Sequence, residues 1–448
     1  MKSVAKKYGF FTAVSMVVGI VIGSGVFKSA GDVLSLAGGD LVTSIVAWLI
    51  GGFIMVISAY TFSLVAVRVE KNSGIVDYVE TSLGERAGYL IAWFMNFVYY
   101  PTLIGILAWL GGSISATLIG AESAYVTWLI AIVYLIGTYG VSFLSPVIAG
   151  KWQVSTTVIK LVPLFLIAIV GLIYGLINGV TIENFTQNAT NVASGSLAQA
   201  VAVTVFAYEG WIIATSINAE LKDAKKNLPK ALVFGTIIIV LSYTLFFIGL
   251  SGVLTNNEAV NLGGSLDTTV LAAQRLFGSF FGNAVVVLVL VSVLGTLNGL
   301  VMGGFRGMYA ISVRDKGPKP ELFKKLSKTD STISSGVISL ILTLFWGVIW
   351  YGNFQGWWGG FMDTSILPIV FLYGTYIIVY VFIIRKLTDL SFVNRYVFPI
   401  LSSIGALYLI YGAFTSDPKM FLFFSIIVVV FLAIGVVLDF RNSKKIVK

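Results

Sequence analysis

The sequence has 448 residues and a formal net charge of +9, and 57% of its residues are hydrophobic whereas only 11% are charged. A soluble globular protein carries about 25% charged residues, because its surface must be solvated, so this composition excludes that class. The sequence has no cysteine and no histidine, which excludes disulfides and any zinc site or thiol nucleophile built on those side chains. We expect no cofactor and no metal.

Apolar stretches of about 20 residues, the length that crosses a bilayer as a helix, recur along the chain. We count about twelve of them and predict an all-α polytopic membrane protein. The third and eighth stretches are too long for one perpendicular crossing, so we expect strong tilt or an extension along the membrane surface. The approximate spans are 10–36, 41–67, 86–119, 124–143, 152–177, 196–219, 230–254, 268–312, 333–351, 357–384, 396–415 and 419–438.

Basic residues indicate the orientation of the spans, because loops rich in lysine and arginine stay on the cytoplasmic side. The two chain ends and the even-numbered connections hold nearly all of them, so both termini are predicted to be cytoplasmic. The odd-numbered connections hold only Lys28 and Arg275 at helix edges, and Lys419. We therefore attribute the positive charge to topology and expect no nucleic-acid partner. The basic residues on the predicted inner side are Lys2, Lys6, Lys7, Arg68, Lys71, Arg86, Lys151, Lys222, Lys225, Lys226, Lys230, Arg314, Lys316, Lys319, Lys324, Lys325, Lys328, Arg385, Lys386, Arg395, Arg441, Lys444, Lys445 and Lys448.

The connection after the fifth span is polar and rich in asparagine, and the topology makes it external. Asn184-Phe-Thr186 and Asn188-Ala-Thr190 match the acceptor triplet for N-glycosylation. In a loop of this composition a chance match is the simpler interpretation, and the triplet matters only in a eukaryotic host.

The first span contains three glycines within seven positions, Gly19, Gly23 and Gly25. Each glycine weakens a helix by about 1 kcal/mol relative to alanine. Unwound backbone at membrane depth is tolerated only where protein or a polar cavity satisfies its N–H and C=O groups. We therefore predict a broken helix. The alternative is close helix packing, because Gly19 and Gly23 have the spacing of a small-xxx-small motif.

The sixth span has a comparable interruption, with Glu209 beside Gly210 near its middle. Broken helices at corresponding positions in two halves indicate an inverted-repeat transporter with a site at the membrane midplane. N–H groups at the start of a second half-helix attract a carboxylate, while carbonyls at the end of a first half-helix accept from an ammonium. A zwitterionic amino acid supplies both charges, so the paired interruptions favour a binding site over packing alone.

Two charged residues fall inside predicted spans. Lys160 lies roughly two turns into the fifth span, where a lysine costs about 2.5–3.5 kcal/mol. It either has a compensating role or extends its ammonium to the cytoplasmic interface. Glu209 either pairs with a cationic group near the substrate amine or caps the second half of its helix.

Several polar or basic residues of the later spans are candidates for the site or its gates. Tyr243 and Asn298 are plausible pocket or coupling groups, and Ser292 could accept from the Lys160 ammonium. Each could instead form an ordinary interhelical hydrogen bond, which is the commoner role of such residues in membranes. Arg306, toward the inner end of the eighth span, is expected to pair with a carboxylate or a carbonyl as part of an inner gate.

Three segments of the sequence form a pattern that is specific when they occur together. They are GIVIGSGVF in the first span, VFAYEGWIIATSINAELKDAKKNLPKAL around the sixth, and GTLNGLVMGGFRGMYAISVRDKG at the end of the eighth. With these segments the chain resembles the amino acid–polyamine–organocation superfamily. Within it, the chain is most similar to the L-type amino acid transporter family and its bacterial alanine–serine–cysteine and serine–threonine exchangers.

The resemblance implies one transporter domain over residues 1–448, built as a five-plus-five inverted repeat. The first repeat would occupy 10–177, the second 196–384, and two further helices 396–438. It also implies sodium-independent exchange of small neutral L-amino acids, such as alanine, serine, cysteine or threonine, across the plasma membrane by alternating access. A proton-coupled amino acid symporter on the same fold is the alternative.

The resemblance also implies a role for each residue near the two breaks. Backbone N–H groups of the first break would bind the substrate carboxylate, and carbonyls of both breaks would accept from its amino group. Phe206 would cover the substrate as a gate, and Trp211 would brace the unwound turn. Lys160 would supply its ammonium where sodium-coupled relatives bind an ion, linking helices one, five and eight. The implied substrate-binding residues are Ile20, Gly23, Ser24, Gly25, Val26, Phe206, Ala207 and Glu209.

Animal members of the L-type family have an external cysteine, between helices three and four, that joins them to a glycoprotein partner. This chain has no cysteine, so we expect no disulfide-linked subunit, function without an ancillary chain and a prokaryotic source. An enzyme is disfavoured because no catalytic constellation is apparent.

Overall fold

The computed structural model describes residues 9–69, 74–121, 123–190, 192–215, 221–262, 267–327 and 331–446. Helices dominate these residues. In chain order they are α1 (Phe10–Val21), α2 (Gly25–Leu36), α3 (Leu41–Ala66), α4 (Ile75–Leu83), α5 (Glu85–Phe94), α6 (Tyr100–Leu118), α7 (Ala124–Leu144), α8 (Pro146–Ile159), α9 (Leu161–Ile177), α10 (Val180–Thr186), α11 (Leu197–Tyr208), α12 (Trp211–Ala214), α13 (Ala224–Ser251), α14 (Asn256–Asn261), α15 (Asp267–Phe305), α16 (Gly307–Ser312), α17 (Pro320–Phe323), α18 (Ile333–Phe354), α19 (Leu367–Lys386), α20 (Phe398–Ser416) and α21 (Pro418–Ile446). Short π-helical segments at Met95–Tyr99 and Val393–Val397 precede α6 and α20.

Many of these helices are long and apolar enough to cross a membrane. Nine continuous stretches of the described chain qualify, and two bent pairs qualify as single spans, α1 with α2 and α9 with α10. The shorter apolar helix Leu197–Tyr208 corresponds to the first part of the predicted sixth span. The predicted class, an all-α polytopic membrane protein with broken helices, is confirmed.

Three predicted spans differ from the observed helices. The tenth was expected to start at residue 357, but α19 starts at Leu367, because glycines at 356 and 359 take positive φ angles of 67° and 65° and hold the aromatic segment in turns. The fifth is interrupted at Lys160, between α8 and α9. The long eighth stretch kinks at Gly278, whose φ of 74° is not helical, so a kink accommodates part of its length. The end of the predicted sixth span, 216–219, lies outside the described residues.

The chain divides into two compact units, each assembled from separate segments. Unit 1 comprises Met1–Gly74, Thr157–Ser292 and Ile369–Ser416. Its interior holds an aromatic cluster in which the Tyr208 and Tyr243 rings stack with centroids 5.3 Å apart, and the Tyr208 hydroxyl donates to the Trp48 carbonyl at 2.9 Å. Both breaks predicted from the sequence belong to unit 1.

Unit 2 comprises Ile75–Thr156, Val293–Pro368 and Asp417–Lys448. Its interior joins α7 to α18 through the Tyr139 hydroxyl, which lies 2.7 Å from the Ser339 hydroxyl and 3.1 Å from that of Thr343. Each unit takes segments from both predicted repeats, because helices that pack together need not follow one another in sequence. The repeat itself stays a prediction.

The orientation of the chain also stays a prediction. Of the basic residues that support it, several lie outside the described residues, and the side chains of the C-terminal ones are not described either. Those outside are Lys2, Lys6, Lys7, Lys71, Lys328 and Lys448.

The polar loop after α9 is held by a buried asparagine. The Asn184 amide nitrogen donates to the carbonyls of Ser251 at 2.6 Å and Leu254 at 2.9 Å, and its oxygen accepts from the Asn256 N–H at 2.8 Å. A glycan on this nitrogen is incompatible with the folded loop. The Asn184 triplet is therefore structural, whereas Asn188 in the second triplet is exposed.

An ion pair stabilises the next turn of the same region. Arg275 donates to both carboxylate oxygens of Glu258, at 2.9 and 3.0 Å, while Glu258 also completes a capping box with Thr255 at the start of α14. The hydrogen bonds from Arg275 lower the pKa of Glu258 to about 2, because they favour the ionised carboxylate.

Candidate substrate site

The first span breaks between Val21 and Gly25, and α1 and α2 meet at an angle of 57°. The Ile22 backbone is extended, and the first hydrogen bond of α2 runs from the Lys28 N–H to the Ser24 carbonyl at 3.3 Å. The N–H groups of Gly25 and Val26 therefore lack an acceptor within the helix, as expected for a first turn. They lie at the positive end of the α2 dipole, so this terminus can attract an anion.

The hydroxyl of Ser24 adds a polar group at the same terminus. Ser24 is only 1% exposed, forms no side-chain cap for α2, and its Oγ has no hydrogen-bond partner among the described residues. A buried hydroxyl without a partner is costly. Ser24 and the adjacent N–H groups thus form a compact set of donors.

Tyr243 spans the break from the side of α13. Its hydroxyl donates to the Val21 carbonyl at 3.2 Å and interacts with the Gly23 backbone N–H. The Gly23 N–H, which was expected to bind a carboxylate, is therefore already engaged. Tyr243 satisfies backbone groups on both sides of the break, which is how unwound chain becomes tolerable at membrane depth.

The sixth span breaks between Tyr208 and Trp211. Glu209 has an extended backbone, and Gly210 has a φ of 109°, a left-handed conformation that glycine adopts without strain. The Ile20 carbonyl oxygen would be 3.5 Å from a Cβ at Gly210. The second break therefore lies directly beside the end of α1.

The two breaks also meet at Gly25. A Cβ at this position would be 2.6 Å from Ala207 Cα and 2.8 Å from the Phe206 carbonyl oxygen. Of the predicted substrate-binding residues, Ile20 and Glu209 are half-buried and the other six are buried. The structure thus brings together segments that are about 180 residues apart in sequence.

Trp211 and Glu209 are fixed by aromatic neighbours. The Trp211 indole nitrogen donates to the Tyr373 hydroxyl at 3.2 Å, and its ring lies 5.4 Å from Phe62 and 5.3 Å from Tyr376. Glu209 lies close enough to interact electrostatically with Tyr373. Trp211 is completely buried, so the turn between α11 and α12 rests on α19 and α3.

Lys160 reaches the end of α1 from the junction of α8 and α9. Its side chain is 2% exposed, and the ammonium donates to the Gly19 carbonyl at 2.6 Å. The alternative in which the ammonium extends to the interface requires an exposed side chain, so it does not apply. Ser292 was one candidate acceptor for this ammonium, and the hydrogen bond that the structure describes runs to the Gly19 carbonyl.

The remaining predicted coupling residues have other surroundings. Ser292 is buried in α15. The Asn298 amide donates to the Ala149 carbonyl at 2.9 Å and so joins α15 to α8, which is the interhelical alternative.

The predicted pairing of Arg306 is not seen among the residues that the structure describes. Arg306 is exposed at the start of α16, and the nearby arginine that pairs with carboxylates is Arg314, about two turns beyond the α16 N-terminus. Arg314 contacts Asp77 at 2.6 Å and Glu80 at 3.2 Å. The preceding helix breaks at Arg306 and turns this side chain outward, so position along the span was a poor guide to its contacts.

Sequence reasoning also missed Lys28. It was assigned to a helix edge, but its side chain is buried on the face of α2 that packs on α11. A signal was available, because Lys28 and Asp32 stand four residues apart in a helix and can pair.

A polytopic helical bundle with two broken helices in contact is typical of membrane transporters that bind a solute at such breaks. Comparison with known proteins agrees. A family model described as amino acid permease matches residues 8–443. The chain therefore belongs to the amino acid permease family of the amino acid–polyamine–organocation superfamily, and within it to the members that resemble L-type transporters. This is a family of transporters rather than enzymes.

Individual relatives share this character. The chain is 32% identical to the serine/threonine exchanger SteT of Bacillus subtilis over 70% of each chain. It is 31% identical to the large neutral amino acids transporter small subunit 2 of Homo sapiens, over 53% of this chain and 45% of that protein. It is 25% identical to the b(0,+)-type amino acid transporter 1 of Mus musculus, over 93% of this chain and 84% of that protein. Amino acid transport is the activity that these relatives have in common.

We predict that Gly25→Ala lowers amino acid uptake by about tenfold or more, since the added methyl group meets backbone atoms that cannot rotate away and overpacking costs about 1–3 kcal/mol. Uptake into vesicles is measured per amount of purified protein. Gly140→Ala in α7 is the matched control, because a Cβ there has no heavy atom within 4 Å. Unchanged uptake by Gly25→Ala would show that the two breaks need not pack this closely.

Proposed function

We propose that the protein exchanges small neutral L-amino acids, such as alanine, serine, cysteine or threonine, across the plasma membrane without sodium. The observation that carries this proposal is the hydrogen bond from the Lys160 ammonium to the Gly19 carbonyl, 2.6 Å long, next to the broken first helix. The exchanger function of a relative and the family membership of this chain support it further.

The two charges of an amino acid suit the two sides of the breaks. The carboxylate binds the donors at the start of α2, which are the N–H groups of Ser24, Gly25 and Val26, with Gly23 shared with Tyr243. The amino group donates to carbonyls at the ends of α1 and α11, near Ile20 and Phe206. In this arrangement the carboxylate lies at the positive N-terminal end of one half-helix, and the ammonium lies at the negative C-terminal ends of two others.

The side chains around this position favour a compact substrate. Val26 and Ala207 are small or medium in size, and Phe206 lies at the end of α11 as a lid over the break. Glu209 provides a carboxylate beside the amino group, which favours the zwitterion over an uncharged amine.

Lys160 replaces the coupling ion in this proposal. A helix that ends inside the membrane leaves carbonyls with partial negative charge, and a fixed ammonium neutralises them permanently. A permanently bound cation does not dissociate with the substrate. Transport then gains nothing from a sodium gradient, and the carrier returns only with another amino acid bound.

We infer the larger organisation on the same basis. The two repeats, 10–177 and 196–384, followed by 396–438, alternate access to the site from either side. The termini are cytoplasmic, the source is prokaryotic, and the chain functions without an ancillary subunit, because it has no cysteine for a disulfide link.

A proton-coupled symporter is the second candidate, and Lys160 again supplies the observation. A buried ammonium that donates to a carbonyl, as that of Lys160 does, could release its proton during each cycle. The two mechanisms differ in their driving force, since a symporter needs a proton gradient and an exchanger needs amino acid on the opposite side.

Counterflow in sodium-free proteoliposomes distinguishes these functions. We expect uptake of radiolabelled alanine or serine only into vesicles preloaded with unlabelled amino acid, with no response to an imposed pH gradient. Protein-free vesicles are the control. Uptake into empty vesicles that depends on a proton or sodium gradient would overturn the exchange proposal.

We predict that Lys160→Ala reduces exchange about 10- to 100-fold, the effect of losing one charge-assisted hydrogen bond, while the protein remains folded in the membrane. Lys151→Ala is the matched control, because Lys151 is exposed on the preceding helix. Size-exclusion profiles and thermal unfolding in detergent establish folding. Normal exchange by Lys160→Ala would refute the role of this ammonium.

A further inference from the structure

Lys28 occupies an unfavourable position for a lysine. It is the fourth residue of α2, close to the positive end of the helix dipole, and only 7% of its surface is exposed. A cation is disfavoured at a helix N-terminus, and burying one without partners is costly. The Lys28 ammonium must therefore gain compensating contacts within unit 1.

Two contacts provide this compensation. The Lys28 ammonium lies 3.2 Å from a carboxylate oxygen of Asp32, one turn along α2. It also lies over the face of the Phe206 ring, 5.2 Å from the centroid. A cation over an aromatic face is attracted by the ring quadrupole, and more strongly when solvent is excluded.

The packing of α2 on α11 fixes this geometry. Gly25 lies against the backbone of Ala207, and the Ser29 hydroxyl donates to the Val203 carbonyl at 3.4 Å. Lys28 is three residues beyond Gly25 and therefore lies on the same side of α2 as that glycine. The ammonium is therefore directed at the last turn of α11, where the Phe206 ring stands.

We propose that Lys28 is a positioning residue that holds the Phe206 ring over the substrate through a cation–π contact, with Asp32 fixing the ammonium. This inference rests on the proposed function, in which Phe206 covers the site. Lys28 does not touch the substrate. It stabilises the conformation in which Phe206 is closed, and therefore sets how readily the substrate leaves.

A merely structural ion pair does not explain the arrangement. Buried ion pairs are weak evidence for stability, and apolar residues of similar volume often replace them without loss. Asp32 alone would satisfy the ammonium at a helix surface, where such pairs are common. The contact with the gate residue links the pair to the function of the site.

The test is a double-mutant cycle on exchange kinetics. Lys28→Met removes the charge and keeps the chain length, Phe206→Leu removes the ring, and the double variant combines them. We expect Lys28→Met to raise the KM for amino acid by roughly 2- to 30-fold without lowering kcat, the range that a partly desolvated cation–π contact supports. Lys28→Arg should restore the wild-type KM, because the guanidinium is also a cation.

The cycle isolates the contact from the loss of a partner for Asp32, since that loss occurs in both backgrounds. We expect Lys28→Met to have little further effect on KM when Phe206 is already leucine. Lys419→Met, which removes an exposed lysine of unit 2, should behave as wild type. Equal effects of Lys28→Met in both backgrounds, or a fall in kcat with unchanged KM, would overturn the proposal.

The same variants separate this inference from the proposed function. If wild-type vesicles show no counterflow, the exchange proposal fails, and the contact is then tested by the same cycle on thermal unfolding in detergent. Non-additive effects of the two substitutions on the unfolding temperature would support the Lys28–Phe206 contact, and additive effects would reject it. If the wild type exchanges and the KM effects add, only the role of Lys28 is wrong.

Discussion

The protein depends on one constraint, which is that backbone groups freed inside a membrane must find partners within the protein. The first span breaks between Val21 and Gly25 and so frees several of them. The Lys160 ammonium donates to the Gly19 carbonyl. The Tyr243 hydroxyl donates to the Val21 carbonyl and interacts with the Gly23 N–H. The second break lies alongside. In the proposed function, the donors at the start of α2 and the carbonyls near Ile20 and Phe206 are left for the substrate.

Charge is distributed unevenly around these breaks. Lys160 lies at the end of α1 and Lys28 lies inside the first turns of α2, whereas Glu209 lies in the unwound part of the sixth span. Charged side chains of both signs therefore lie beside the two breaks, with Asp32 paired to Lys28, and such surroundings suit a molecule that carries both charges. In the proposed function, the fixed ammonium of Lys160 makes a bound sodium ion redundant.

Much of this organisation could be predicted from the sequence. A glycine cluster predicted the first break, because each glycine weakens a helix and permits non-helical backbone. Glu209 beside Gly210, at the corresponding position of the sixth span, predicted the second. Composition and span length predicted the class. The start of α19 was misplaced, because the aromatic residues before it are apolar enough to resemble a span while the glycines among them form turns.

The contacts of individual side chains were harder to predict. Arg306 and Arg314 both lie near the inner end of the same predicted span, and only the helix break between them decides which one meets Asp77. Lys28 appeared to be an edge residue because its burial depends on α11, a helix far away in sequence. The division into two units, whose segments alternate along the sequence, could not be predicted from the order of the spans either. Which helices pack together depends on the folded structure and not on their order in the chain.

The most direct test of a two-sided, sodium-independent site is equilibrium binding to the purified protein in detergent. Radiolabelled serine or alanine is bound in buffer in which N-methylglucamine replaces sodium, and competed with the matching amine that lacks the carboxylate and the matching acid that lacks the amino group. We predict saturable binding that sodium does not change, and competition by neither analogue. Binding that requires sodium, or effective competition by either analogue alone, would contradict the account.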